Sequence, residues 1–183
     1  MDPNSKWSND ANAFDGSTAT SAQLESSVTG SVSENYLQGD GTTAPVIEGT
    51  TIVSVTARIY GGVNQPAGSN TVYAAIYTDG LGALLGTPSV TWAGSQSGWG
   101  GYTSLSTPSG GWTWQKLNDL EAKIYGTTDA TGTLDVYRVE IEVVTFTQEL
   151  KTINNLAETS IKTVNGLAHA DIKEVNGVWW HSS

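Results

Sequence analysis

In the stretch TIVSVTARIYGG, Val53, Val55, Ala57 and Ile59 alternate with Ser54, Thr56, Arg58 and Tyr60. A period of two marks an antiparallel strand with one face on a core and the other in water. LDVYRVEIEVVTFT alternates in the same way, setting Val139, Ile141 and Val143 against Arg138, Glu140 and Glu142. In TVYAAIYTDG, Val72, Ala74 and Ile76 oppose Tyr73, Ala75 and Tyr77, so both sides are apolar, as in a central strand. Asp79-Gly80 then signals a turn. Further strands are expected over Ser31–Leu37, Ser89–Ala93, Gly111–Leu117 and Glu121–Tyr125, with room for one helical turn near Leu117–Leu120. About eight strands at this spacing, with no helix long enough to cross over, predict an all-β fold. The leading topology is an antiparallel β-sandwich of jelly-roll type, with an up-and-down barrel as the alternative.

After Thr147 the pattern changes to units of eleven residues. Leu150, Lys151, Ile153, Asn154, Asn155 and Leu156 recur as Ile161, Lys162, Val164, Asn165, Gly166 and Leu167, and again as Ile172, Lys173, Val175, Asn176, Gly177 and Val178. Each unit offers a short strand, an Asn-Gly or Asn-Asn pair suited to a tight turn, and a second apolar segment. An eleven-residue period also suits a right-handed coiled coil, which the two Asn-Gly pairs disfavour. The boundary therefore falls at residues 147–149, dividing a sandwich over 1–148 from a β-repeat tail over 149–183. Repeated units of this size do not bury an apolar side alone. The apolar positions Leu150, Ile153, Ile161, Val164, Leu167, Ile172, Val175 and Val178, closed by Trp179 and Trp180, are thus the candidate oligomerisation or docking residues. A homotrimer is the favoured assembly, and docking onto another protein is the alternative.

Composition narrows the chemistry. The 183 residues suffice for one core plus an appendage, and the net charge of −10 without a Lys/Arg cluster argues against a nucleic-acid partner. The absence of cysteine excludes disulfides and thiolate chemistry. No apolar run approaches the roughly 18 residues that span a bilayer, so no membrane partner is expected, and MDPNSKWSND lacks the features of a secretory signal. Both histidines, His169 and His181, lie in the tail, which leaves the sandwich no Ser-His-Asp triad of its own. Glu140 and Glu142 share one side of a strand at about 7 Å, and Asp119 and Glu121 flank Leu120, but both pairs read as solvated charges rather than a glycosidase set. No enzyme is expected, and a glycan-cleaving activity is the least favoured reading.

Aromatic side chains are the richer resource. Trp92, Trp99, Tyr102, Trp112 and Trp114 crowd one Gly/Ser-rich region, and exposed rings serve carbohydrate modules as stacking platforms. Trp99, Tyr102, Trp112 and Trp114 are the candidate carbohydrate ligands, against the plainer expectation that such rings pack in the core. Trp112 and Trp114 would share one side of a strand. Asp15-Gly16, followed by Thr18 and Thr20, clusters oxygens that can hold calcium, so Asp15 is the candidate metal ligand and no other cofactor is expected.

Asn12, Ala13, Asp15, Gly16 and Thr20 resemble the opening N-A-x-D-G-x-x-x-T pattern of discoidin-like galactose-binding sandwiches, with Ser21 where that pattern carries an aromatic. More broadly, WSNDANAFDGSTATSA, IVSVTARIYGG and LDVYRVEIEVVTF resemble β-sandwich modules of tailed-phage virion proteins. The IKTVNG and IKEVNG units resemble repeats on phage tail, fibre and head-decoration proteins. This resemblance implies a non-enzymatic virion structural protein, of decoration or fibre type and adhesive in some cases, displayed on the virion surface and released by host lysis. A carbohydrate-binding module is the alternative.

Overall fold

The computed structural model describes residues 6–41, 44–47, 49–64 and 68–147, together with the backbone of six two-residue strands in the tail. The body contains β1 (Trp7–Ser8), a 3₁₀ turn (Asp10–Phe14), β2 (Ala22–Leu24), β3 (Leu37–Asp40), β4 (Thr50–Asn64) and β5 (Asn70–Tyr77). After these come β6 (Leu84–Gly86), β7 (Ser89–Trp92), β8 (Gln96–Trp99), β9 (Thr103–Ser104), α1 (Trp114–Asn118), β10 (Glu121–Thr127) and β11 (Thr133–Thr147). One sheet runs β1-β2-β11-β4-β8 with β9 also on β4, and the other runs β3-β10-β5-β6 with β7 also on β5.

This order is a jelly roll. β8 and β9 are two pieces of one strand along the far edge of β4, as β6 and β7 are along β5. β2 pairs with β11, β3 with β10, β4 with β8/β9 and β5 with β6/β7, as in a single long hairpin whose tip lies between β5 and β6. Rolling that hairpin brings β11 beside β4 and β10 beside β5, which closes two antiparallel sheets on one core. The core is aliphatic: Leu24, Leu37, Ala57, Ile59, Val72, Ile124, Leu134 and Val136 are fully buried. Trp7 and Trp92 are the only buried aromatics among the described residues. Trp92 crosses the core to the backbone of β4, where a Cβ on Gly61 would stand 2.9 Å from its ring. Glycine is required there for close approach.

Two register shifts organise the long pair β4–β11. Val136 faces Gly61 and Arg138 faces Tyr60, so Tyr137 is an extra residue in β11; Val144 faces Ser54 and Thr145 faces Ile52, so Val53 is an extra residue in β4. A bulge shifts the in–out alternation by one. Val53, expected inward, is therefore 59% exposed, while Ile52 packs partly against the core. Beyond the Tyr137 bulge, Val139, Ile141 and Val143 do turn inward, but they are only half-buried.

Two other expectations are corrected. The segment expected as a strand over Gly111–Leu117 begins a helix, because Thr113 caps it by accepting the Lys116 N–H on Oγ1 at 3.1 Å. The strand expected over Ser31–Leu37 starts only at Leu37, since Ser31 N–H and the Glu34 carbonyl close a turn at 2.9 Å.

In the tail, Thr152–Ile153 pairs with Leu156–Ala157, Thr163–Val164 with Leu167–Ala168, and Glu174–Val175 with Val178–Trp179, all antiparallel. Each pair is a separate two-stranded sheet, and two residues lie between its strands. Ile153, Val164, Leu167, Val175, Val178 and Trp179 stand on these strands. Leu150, Ile161, Ile172 and Trp180, with both histidines, lie outside the described residues.

Candidate functional site

The outer face of the first sheet gathers side chains from β8, β4 and β11. Ala57 and Ile59 point into the core, so Arg58 and Tyr60 between them point outward. Tyr60 faces Trp99 across β4–β8 and Arg138 across β4–β11, while Arg58 faces Glu140. The Arg58 guanidinium lies 4.1 Å from the ring centre of Trp99 and 4.4 Å from that of Tyr102. Such stacking suits the weakly hydrated guanidinium plane. The sheet thus joins Trp99 and Tyr102, two of the expected ligand residues, through an arginine between them.

Glu140 anchors this arrangement. Arg58 Nη2 donates to Oε1 at 2.9 Å, Arg138 Nη2 to Oε2 at 3.0 Å, and the Tyr102 hydroxyl to Oε1 at 2.8 Å. Burial pushes the Glu140 carboxyl upward, but the bonds from Tyr102 and Arg58 and the two arginine charges outweigh it and hold the group below its ordinary value. The same bond raises the Tyr102 phenol. Glu142 accepts from Thr56 Oγ1 at 3.0 Å, so the two glutamates are each engaged by neighbours on β4. Of the second carboxylate pair, Asp119 is held by Gln115, and Glu121 is buried, accepting from Gly80 N–H and Gln38 Nε2.

An aromatic row adjoins this network. Trp99, Tyr60 and Tyr137 follow one another across three strands with centroid spacings of 5.1 Å. Asp135, two positions before Tyr137 on the same face, accepts from Ser21 and Gln23.

Trp112 and Trp114 are elsewhere. Both pack partly against the core, Trp112 just before α1 and Trp114 at its start, and Trp114 lines a cleft with Pro45 and Ile47. The capped helix that replaced the expected strand removes them from the Trp99 face. The Asp15 loop is self-contained: one carboxylate oxygen accepts the Ser17 N–H and the other the Thr20 hydroxyl, bonds that lower the Asp15 carboxyl. Asn12 Nδ2 ties the preceding turn to the Ser21 carbonyl at 3.1 Å. The N-A-x-D-G pattern therefore builds a turn. Among the described residues no three His, Cys, Asp or Glu side chains converge as a metal site. Arg138 Nη1 meets the Gly16 carbonyl at 3.4 Å, which sets this loop beside the aromatic face.

Set against known protein families, characterised proteins and solved structures, the chain matches none of them.

A second feature lies at the far end of β4–β11. β2 pairs with β11 only as far as Val136, so among the described residues no strand lies on that edge beyond it. Two adjoining clefts, of ≈ 380 and ≈ 510 Å³, share Arg138, Val139 and Ile141 as walls. Further on, the two strands continue to the pair Thr147–Thr50. Val53, Val144 and Phe146 are 59%, 48% and 55% exposed there, and Val46 and Ile47 of the preceding loop 61% and 49%. Five of the nine large exposed hydrophobic side chains of the described residues thus belong to this one end.

Arg58, Arg138, Tyr60 and Tyr137 escaped the sequence reading as site residues. One signal was available: the apolar phase runs through Leu134 and Val136, then slips to Val139, Ile141 and Val143. That slip marks the bulge.

Proposed function

We propose that the chain is a non-enzymatic structural protein of a virion surface, of head-decoration or fibre type, that assembles with copies of itself through its C-terminal end. The observation that carries this reading is the β4–β11 extension, a two-stranded ribbon with exposed Val144, Phe146 and Val53 and half-buried Ile52 and Val143. Two-stranded ribbons are marginal in water without a second layer. The repeat tail starts where this ribbon ends, and its three hairpins have the same need. Identical ribbons and hairpins around a symmetry axis would cover one another, with three chains as the favoured number. A socket on a different virion protein is the competing occupant, and host lysis is the route to the outside.

Val144→Ser with Phe146→Ser in the full chain tests the reading by light scattering across a dilution series. The expected result is association weakened about a hundredfold, from the apolar surface no longer buried between copies. Unchanged association in the double variant would move the interface elsewhere, and a monomeric parent at every concentration would leave only the heterologous socket.

A further inference from the structure

We propose that the row Trp99–Tyr60–Tyr137 on the outer face of the first sheet is a binding platform for neutral, pyranose-containing glycans. It does not depend on the assembly reading, since the row is formed within one chain.

The distribution of aromatic side chains is the first argument. All seven tyrosines lie in the described part of the chain and none is buried, while the space between the sheets is filled almost entirely by aliphatic residues. Core packing therefore does not account for the rings on this face, and Arg58 occupies one side of Trp99. Tyr137 is the second argument. It is the inserted residue of the bulge between Val136 and Arg138, and the bulge turns two consecutive residues, Tyr137 and Arg138, to the same side. Bulges interrupt the ladder and recur where a side chain is re-aimed for a task. Here the interruption adds a third ring at 5.1 Å to the pair Tyr60–Trp99.

The chemistry of the row fits a sugar. A pyranose presents one face of C–H groups and a rim of hydroxyls, and an aromatic ring presents a negative face to the former. Interplanar angles of 48° and 56° mean the three rings are not stacked face to face on each other. Polar groups stand on both flanks: Arg138 and Glu140 on one, Asp135 and Gln23 on the other, all held in place by protein partners. Fixed donors and acceptors around apolar rings are what orient a hydroxylated ligand. Asp135, Glu140 and Glu142 against Arg58 and Arg138 leave this face without excess positive charge, and the chain carries −10 overall, which disfavours sialylated or uronic-acid glycans.

Deleting Tyr137 is a discriminating test, because Val136–Gly61 and Arg138–Tyr60 would then become consecutive pairs of a regular ladder, with Arg138 still outward and Val139 still inward. The full chain, its Tyr137 deletion, Trp99→Ala and, as an aromatic control on the other sheet, Tyr125→Ala would be probed on an array of neutral and acidic glycans, and the best neutral oligosaccharide titrated. Expected are binding to neutral glycans, a loss of about tenfold or more for Trp99→Ala and for the deletion, no change for Tyr125→Ala, and a thermal midpoint for the deletion at or above the parent's. Absence of binding to every glycan, binding confined to acidic glycans, or binding that survives both changes would overturn the proposal. If the deletion unfolds the chain, the bulge is structural and Trp99→Ala alone decides.

Discussion

Val136→Asp is expected to abolish folding, whereas Val139→Asp, three residues along the same strand, is expected to weaken it modestly. Val136 is fully buried between the sheets, opposite Gly61, in the aliphatic core. The cost of an unpaired charge there, more than about 4 kcal/mol, is comparable with the whole stability of an ordinary domain. Val139 is half-buried on the wall of the two clefts, so a carboxylate there keeps access to solvent, at a cost of about 1–2 kcal/mol. Urea unfolding followed by circular dichroism measures both. Equal destruction by the two variants would mean that the sheets close over Val139 and that the clefts do not exist in solution.

Glu140→Ala is expected to destabilise the chain by about 2–3 kcal/mol at neutral pH, although it lies on an outer face. The Glu140 side chain is only 23% exposed, and its carboxylate accepts from Arg58, Arg138 and Tyr102. Its removal takes from Arg58, whose Nε is already buried without a hydrogen-bond partner, its salt-bridge partner. Because the folded carboxyl titrates below its unfolded value of about 4.5, its contribution is fully present above that value and fades as the pH falls through the lower folded one. The parent should therefore lose its advantage over the variant in that acidic window. A difference that stays constant from pH 7 to pH 3 would show that the charge is not what matters.

The fold was legible where alternation was regular. Val55, Ala57 and Ile59 inward and Arg58 and Tyr60 outward follow directly from the period of two, and the strand count led to a jelly roll. The pattern misleads where a single residue changes the phase. Strict alternation places Val53 inward, but the bulge at that residue turns it out, and GWTWQKL alternates like a strand although Thr113 caps a helix there. The site was half legible: Trp99 in a glycine-rich loop and Tyr102 were expected as ligand residues, but their meeting at Arg58 depends on cross-strand register between segments about forty residues apart in sequence. Register of that kind is a tertiary property, set by which faces are buried. The half-coverage of Val139, Ile141 and Val143 was likewise invisible, because it depends on how far β2 runs along β11.

Assembly through the C-terminal end is tested most directly by the mass in solution of the full chain and of a chain ending at Gln148. The jelly roll is complete by Thr147, so the shorter chain should fold and melt cooperatively. A full chain with the mass of a small closed oligomer, three copies being favoured, beside a folded truncation that keeps the ribbon but associates more weakly without the repeats is the predicted result. A full chain that is monomeric at every concentration would contradict it.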